Sequence, residues 1–145
     1  VQGSIDGKPM NTSQHMLYQG MMVSDVPNMA MIIGYINASW TLKVDIAADY
    51  ICRLINHMDK NGYDEVIAHA DPLQRENDTI MGKMSSGYIA RAADVMPKQG
   101  KQAPWKITNN YLVDRKELKD AKFDDGVLEF HKRGEHADRK PKLVS

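Results

Sequence analysis

The stretch from Gly20 to Met58, GMMVSDVPNMAMIIGYINASWTLKVDIAADYICRLINHM, decides how the rest of the chain is interpreted. Its middle is a continuous apolar run, Met29 to Ile33, which ends at Gly34. Such a run is typical of a strand covered on both faces. A polar turn follows over residues 35–40, and a long amphipathic pattern begins at about Thr41. The sequence therefore predicts a strand, a turn and a helix in succession.

The helix is expected over about residues 41–59. Its apolar residues recur at three- and four-residue spacing, which places them on one face: Ala47, Tyr50, Ile51, Leu54, Ile55 and Met58. Asn37, Ser39 and Thr41 can each accept a hydrogen bond from an unpaired amide at the helix start. Asp45 adds negative charge in the first turn, and Asn61 or Gly62 can close the helix in the left-handed conformation.

Such a helix start offers free N–H groups and partial positive charge to an electron-rich ligand group. From the residues alone, however, an ordinary packed helix with a good cap is the favoured interpretation, because most strand-turn-helix units bind nothing in particular.

Composition limits the classes of function. The chain has 145 residues, 42% of them hydrophobic, which suits one domain with a modest core. Lys plus Arg and Asp plus Glu number 19 each, so no net charge draws the chain to nucleic acid or an anionic membrane. No apolar run is long enough to span a bilayer, and the single cysteine, Cys52, fits a reducing compartment. We expect a cytoplasmic protein with neither a nucleic-acid partner nor a membrane span.

The remaining patterns predict an α/β fold of short strands around two main helices, at about residues 41–59 and 85–96. Pro97 and Gly100 are expected to end the second helix. A hairpin signal stands at Asp6–Gly7. The other predicted elements are short strands at Val66–Ile67 and Gly126–Phe130, a charged helix at Asp114–Lys119, and a loop between Gly62 and Lys83.

Residues with chemical potential are few. No Gly-x-Gly-x-x-Gly motif is present, and Tyr88 stands where a P-loop would need lysine. The five histidines show no zinc-binding spacing, and Cys52 has no obvious activating base. Ser85 is better explained as a helix cap than as a nucleophile. We therefore predict no catalytic residue and no metal site in this chain.

Several separated motifs, in order, resemble the C-terminal part of a Baeyer-Villiger-type flavin-containing monooxygenase, closest to the bacterial ethionamide-activating branch. The similarity runs from about Asp6 to about Phe130. The motifs are residues 20–29, GMMVSDVPNM; 34–43, GYINASWTLK; 50–59, YICRLINHMD; 86–89, SGYI; 97–100, PKQG; 103–105, APW; and 110–112, NYL, followed by Asp114.

The resemblance implies an incomplete C-terminal piece of a two-domain flavoprotein that binds FAD and NADPH. Residues 1–60 would complete the FAD-binding domain, residues 61–130 would form an extension packed on it, and residues 131–145 would be a polar tail. The glycine motifs for both cofactors and the catalytic arginine would lie upstream. The missing N-terminal region is thus an implied partner, and the chain alone is expected to bind no cofactor.

The resemblance also implies a site. Asn37, Ala38, Ser39, Trp40 and Thr41 would be FAD neighbours, with the helix N-terminus directed at the pyrimidine edge of the flavin, and Trp40 would also line the substrate cavity. The parent enzyme would insert oxygen into ketones, or oxygenate sulfur or nitrogen, through a peroxyflavin. This chain alone is expected to be inactive.

A different class of function stays open at this stage. The chain could be a non-catalytic module or truncated gene product without flavin, which self-associates by burying Met29 to Ile33 and the helix face against a second copy. A bound flavin would distinguish the monooxygenase interpretation from this one.

Overall fold

The computed structural model describes residues 3–80, 94–132 and 135. These residues contain two α-helices and short antiparallel strands, so the expected mixture of α and β structure is confirmed. The helices are α1 (Trp40–Asn61) and α2 (Tyr111–Lys119). The strands are β1 (Gly3–Ile5), β2 (Lys8–Met10), β3 (Leu17–Tyr18), β4 (Met22–Val23), β5 (Glu65–Ala68), β6 (Arg75–Thr79), β7 (Lys98–Gly100) and β8 (Leu128–His131).

The strands form antiparallel pairs. β1 pairs with β2 around the turn at Asp6 and Gly7, whose φ values of 50° and 77° are those of a tight hairpin, so the predicted hairpin is confirmed. β3 pairs with β4, and β6 with β7 through an irregular register. β5 pairs with β8, aligning Ala68 with Leu128. The two predicted strands around Val66 and Phe130 are therefore neighbours in space.

Helix α1 agrees with its prediction within two residues at each end. Gly62 ends it with φ 69° and ψ 30°, and its N–H donates to the carbonyls of Asp59 and Met58. The left-handed conformation favours glycine at this position. The predicted short charged helix is also confirmed, as α2.

Two apolar clusters form the core. The larger cluster packs α1 against residues that precede and follow it in the chain. Its buried members include Met16, Tyr18, Met21, Ala47, Tyr50, Leu54, Val66, Trp105, Leu118 and Leu128. The smaller one contains Leu17, Val23, Val26 and Ile80. The division into residues 1–60, 61–130 and 131–145 stays a prediction.

The predicted strand from Met29 to Ile33 is wrong. Its only ladder contact among the described residues is an isolated bridge between Ala30 and Met22. The Met31 N–H donates to the Met21 carbonyl at 2.6 Å. Met29, Met31 and Ile33 are only partly buried, against the smaller cluster. A continuous apolar run becomes a central strand only where two strands flank it, and the described part of the chain places β4 beside one end alone.

Two further expectations from the sequence differ from the structure. Residues 85–93 of the predicted second helix lie outside the described residues, but residues 94–96 form a turn and a bend, and Lys98–Gly100 is a strand. In the segment from Gly62 to Lys83, where a loop with one short strand at Val66–Ile67 was expected, the structure has β6 (Arg75–Thr79) in addition to β5. No helix in the described part of the chain is long and apolar enough to cross a membrane.

Candidate functional site

The structure places the five predicted flavin neighbours, Asn37 to Thr41, on the surface at the N-terminus of α1. All five are exposed, and the Trp40 side chain is 58% accessible to solvent. The turn and the helix start therefore present a continuous accessible surface.

The helix start lacks the cap that the sequence suggested. Ser39 occupies the N-cap position with extended backbone angles, but its side chain makes no capping hydrogen bond. Its Oγ instead lies 2.8 Å from the Oγ1 of Thr41. Asp45 lies beyond the first turn, which carries no acidic residue because α1 begins at Trp40. The Leu42 N–H donates to the Ser39 carbonyl at 3.2 Å, but no Ser39 side-chain cap covers the first turn. The positive end of the helix dipole thus faces the exposed turn, where it can attract an external acceptor.

Trp40 is held next to Gly34. A Cβ atom on Gly34 would lie 2.3 Å from the Cδ2 of the Trp40 ring, a separation that real Cβ atoms essentially never show. Gly34 is itself buried. Glycine at this position is therefore what allows the indole to fold back over the turn that precedes the helix.

A buried ion pair anchors the same turn from inside. The Nζ of Lys43 lies 2.8 Å from the Oδ2 of Asp114, and the two side chains are 4% and 12% exposed. The Tyr35 hydroxyl donates to the same Oδ2 at 2.7 Å, and the Thr108 hydroxyl donates to Oδ1 at 3.2 Å. One carboxylate of α2 thus joins α1, the turn and the segment before α2.

The Asp114 carboxylate is the negative charge that Tyr35 and Lys43 both contact. Burial, followed by the hydrogen bond to the Asp114 carboxylate, raises the pKa of Tyr35 above its ordinary value. Tyr35 is therefore a neutral donor across the physiological range of pH. The Nζ of Lys43 also lies 5.4 Å from the centroid of the Tyr35 ring, where a cation is attracted to the aromatic face.

Small clefts lie on either side of Lys43. Gly20, Gly34, Tyr35, Ile80 and Ile107 are among the residues that line one, and Gln19, Pro104, Lys106, Asp114 and Leu118 are among those that line the other. Both clefts are narrow. The accessible feature of this region is therefore the surface of the turn and not an enclosed pocket.

Sequence reasoning missed Lys43 and Asp114 as partners. The signal for Lys43 is its position, since it lies four residues before Ala47 and seven before Tyr50 and so shares their buried face. A lysine on such a stripe is expected to need a buried acceptor. Nothing local in the sequence identifies Asp114 as that acceptor.

In the described part of the chain, side chains that could bind a metal ion do not come together in one site. Among residues 3–80, 94–132 and 135, no group of three or more His, Cys, Asp or Glu side chains could hold a metal ion. His69 and His131 both contact Glu129, at 2.7 and 2.6 Å, across the β5–β8 pair. Cys52 is exposed on α1.

Comparison with known proteins shows which proteins this chain is similar to. A probable FAD-binding monooxygenase AlmA from Acinetobacter sp is 94% identical over 146 residues, which include the whole of this chain. This confirms the resemblance to flavin-containing monooxygenases. The FAD-containing monooxygenase EthA of Mycobacterium tuberculosis is 43% identical over 90% of the chain, and the putative FAD-containing monooxygenase MymA of the same species is 44% identical over 87%.

The chain spans 29% of the length of the Acinetobacter relative and 26% of EthA and MymA. This extent fits the C-terminal portion that the motifs indicate. No model of a known protein family matches the chain. No solved structure matches it either.

Proposed function

We propose that this chain is the C-terminal portion of an FAD- and NADPH-dependent monooxygenase and that the N-terminus of α1 contacts the flavin. The observation that carries the proposal is the similarity along the whole chain to proteins named as FAD-containing or FAD-binding monooxygenases. The parent would oxygenate a ketone, sulfur or nitrogen centre in the cytoplasm. The chain alone would not turn over, because it lacks the glycine motifs that hold dinucleotide phosphates.

The residues of the turn suit a flavin. The pyrimidine edge of the ring carries carbonyl oxygens, which accept hydrogen bonds. The start of α1 supplies donors that match them, because the Ser39 side chain caps no first-turn amide and the hydroxyls of Ser39 and Thr41 stand beside the helix end. Flavin, when bound, supplies the redox chemistry and oxygen activation, and the helix end stabilises the negative charge that the ring gains on reduction.

The buried ion pair has a supporting role in this proposal. Lys43 is in the first turns of α1, and Tyr35 lies in the segment before it; both bind the Asp114 carboxylate. The exposed turn is thereby fixed at both ends to α2. A binding surface whose supporting side chains are locked loses less entropy when a ligand binds.

Trp40 is the proposed wall of the substrate cavity. Its indole is exposed at the helix end and packs against Gly34. An aromatic surface beside the flavin would orient an apolar substrate. The NADPH site and the catalytic arginine belong, in this proposal, to the part of the parent protein that precedes these residues.

The test uses a hybrid monooxygenase, in which this chain replaces the matching segment of the 94%-identical Acinetobacter relative. FAD affinity is measured by titrating the apoprotein and following flavin fluorescence. Ser39→Ala combined with Thr41→Val is expected to weaken FAD binding about thirtyfold, since the two lost hydrogen bonds are worth roughly 1 kcal/mol each.

The matched control is Asn56→Ala, an exposed change on the same helix about 25 Å from Ser39. It is expected to leave FAD affinity unchanged. Equal affinities for the double variant and the control would refute contact between the helix start and the flavin, and a hybrid that binds no FAD would refute the proposal as a whole.

A further inference from the structure

Helix α1 carries a second apolar surface besides its buried face. The buried face consists of Lys43, Ala47, Tyr50 and Leu54. Trp40, Val44 and Ile55 lie further round the helix and are 58%, 41% and 50% exposed, and Ala48 between them is exposed as well. Their spacing of four and seven residues aligns them in one row, called here the open stripe.

The open stripe has defined borders. On one side, the open stripe borders the buried face of α1, and the partly buried Ile51 lies between the stripe and that face. The other is polar, because Asp45 and Asp49 follow on the far side and are exposed. A helix that met water beyond its buried face would carry polar residues along the stripe. The apolar surface of α1 is therefore wider than the part that the described residues bury. Such an exposed apolar surface is typical of an interaction site.

The position of the stripe indicates what covers it. It begins at Trp40, in the turn proposed to meet the flavin. The glycine motifs that would hold the FAD phosphates are absent from this chain. A polypeptide that carries those motifs must therefore reach the N-terminus of α1, where it meets Trp40 and Val44 first. The chain spans only 29% of its Acinetobacter relative, so that relative has further polypeptide outside the matched segment.

We infer that the open stripe of α1 is the surface on which the remaining, cofactor-binding part of the monooxygenase packs. The inference rests on the proposed function. Packing there joins the flavin-facing end of α1 to a continuous apolar contact along about four turns of the helix. The contact fixes the helix axis, and with it the direction of the first-turn amides, relative to the cofactor.

The experiment compares single acidic substitutions in two settings, the 145-residue chain and the hybrid monooxygenase. Val44→Asp and Ile55→Asp place a charge on the stripe. Leu73→Asp is the matched control, because Leu73 is 76% exposed and lies in the turn before β6. Melting temperature is followed by circular dichroism, and oligomeric state by light scattering after gel filtration.

In the isolated chain, the stripe variants are expected to melt within about 2 °C of the unsubstituted chain, because exposed positions tolerate such changes. In the hybrid, each stripe variant is expected to melt about 3 °C or more below the Leu73→Asp control, because a charge is then buried in an apolar contact. The isolated-chain measurement shows that a loss in the hybrid does not come from misfolding of α1.

Hybrid variants that melt like the control would overturn the inference. So would stripe variants that convert a dimer of the isolated chain into a monomer and leave the hybrid unchanged, because the stripe would then face a second copy. A hybrid that contains no FAD but still loses stability in the stripe variants would refute the flavin role and support the docking surface.

Discussion

Lys43 Nζ and Asp114 Oδ2 lie 2.8 Å apart although 71 positions separate the two residues in the chain. The pair is almost fully removed from solvent, and the carboxylate also accepts hydrogen bonds from Tyr35 and Thr108. Removing one partner of such a pair is costly to stability, since the remaining partner would be a buried charge without a counter-charge.

Asp114→Asn is therefore expected to lower the free energy of unfolding by about 3–5 kcal/mol, because it leaves the Lys43 ammonium buried opposite a neutral amide. Urea unfolding followed by circular dichroism measures the change. Asp49→Asn is the matched control: Asp49 pairs with Arg53 on the surface of α1 and is 65% exposed. Breaking that pair is expected to change stability by less than about 0.5 kcal/mol.

A double variant distinguishes the effect of the unpaired Lys43 charge on stability from the effect of the lost hydrogen bonds. Replacing both partners, with Lys43→Met and Asp114→Leu, removes both charges and is expected to recover most of the stability that Asp114→Asn loses. If the double variant were as unstable as the single one, the loss would belong to the hydrogen bonds of Tyr35 and Thr108 and not to the charge on Lys43.

Sequence reasoning predicted the elements whose signals are local. Helix α1 was predicted within two residues at each end because its apolar residues repeat from Ala47 to Met58 and Asn61 and Gly62 mark the end. The hairpin at Asp6–Gly7 was predicted because the turn depends on two adjacent residues. The pairings of β6 with β7 and of Lys43 with Asp114 join residues far apart in sequence, so no local pattern identifies them.

The error at Met29 to Ile33 has a different origin. A continuous apolar run describes side chains that avoid water, but a strand also needs neighbours for its backbone, and β4 adjoins only one end of the run. At the candidate site, the polar turn was predicted from its residues and its flavin contact from family resemblance. The missing cap on Ser39 depends on side-chain geometry that residue identity does not determine.

The two helix N-termini are expected to respond differently to loss of their cap residues. Asn110 caps α2, and its Oδ1 accepts from the amides of Leu112 and Val113 at 3.1 and 3.3 Å. Asn110→Ala should lower the free energy of unfolding by about 1 kcal/mol. Ser39→Ala in the isolated chain should lower it by less than about 0.5 kcal/mol, because the Ser39 hydroxyl bonds no amide.

Urea unfolding of the two variants side by side measures this difference. Equal losses would show that Ser39 caps α1 in solution, and the amides offered to the flavin would then already be occupied. This result would weaken the proposed role of the helix end independently of any flavin measurement.

The buried tyrosines make the protein sensitive to alkaline pH. Burial is the main cause that raises the pKa values of Tyr18 and Tyr50, whose hydroxyls lie 3.5 Å apart, and the hydrogen bond to Asp125 adds to the effect on Tyr18. In the unfolded chain, tyrosine ionises near pH 10. The folded state holds these protons more tightly, so the stabilisation is complete below about pH 10 and is lost as pH rises above it.

We therefore expect the free energy of unfolding to fall steeply above about pH 10, by up to about 1.4 kcal/mol per pH unit for each buried tyrosine that ionises only on unfolding. Tyr18→Phe removes one such group and should make the decline shallower by about that amount. Urea unfolding between about pH 8 and about pH 11 measures the slopes. Parallel declines for both proteins would show that Tyr18 is not among the groups responsible.

Gly100 and Gly34 are expected to differ in their tolerance of a methyl group, although each faces a tryptophan. A Cβ on Gly100 would lie 2.3 Å from the Cβ of Trp105 and 2.7 Å from its carbonyl carbon and oxygen. Trp105 is 3% exposed and packs edge-on against Tyr18 in the larger cluster. Backbone atoms held by a buried anchor cannot move aside without disturbing the core.

Gly100→Ala should therefore lower the free energy of unfolding by about 2–3 kcal/mol. Gly34→Ala should lower it by about 1 kcal/mol, because the clashing group is the Trp40 ring, which is 58% exposed and can swing towards solvent. Urea unfolding measures both values, and acrylamide quenching in a Trp105→Phe background reports the movement of Trp40. If Gly34→Ala were the more damaging change, the Trp40 indole would be fixed on the turn more firmly than its exposure indicates.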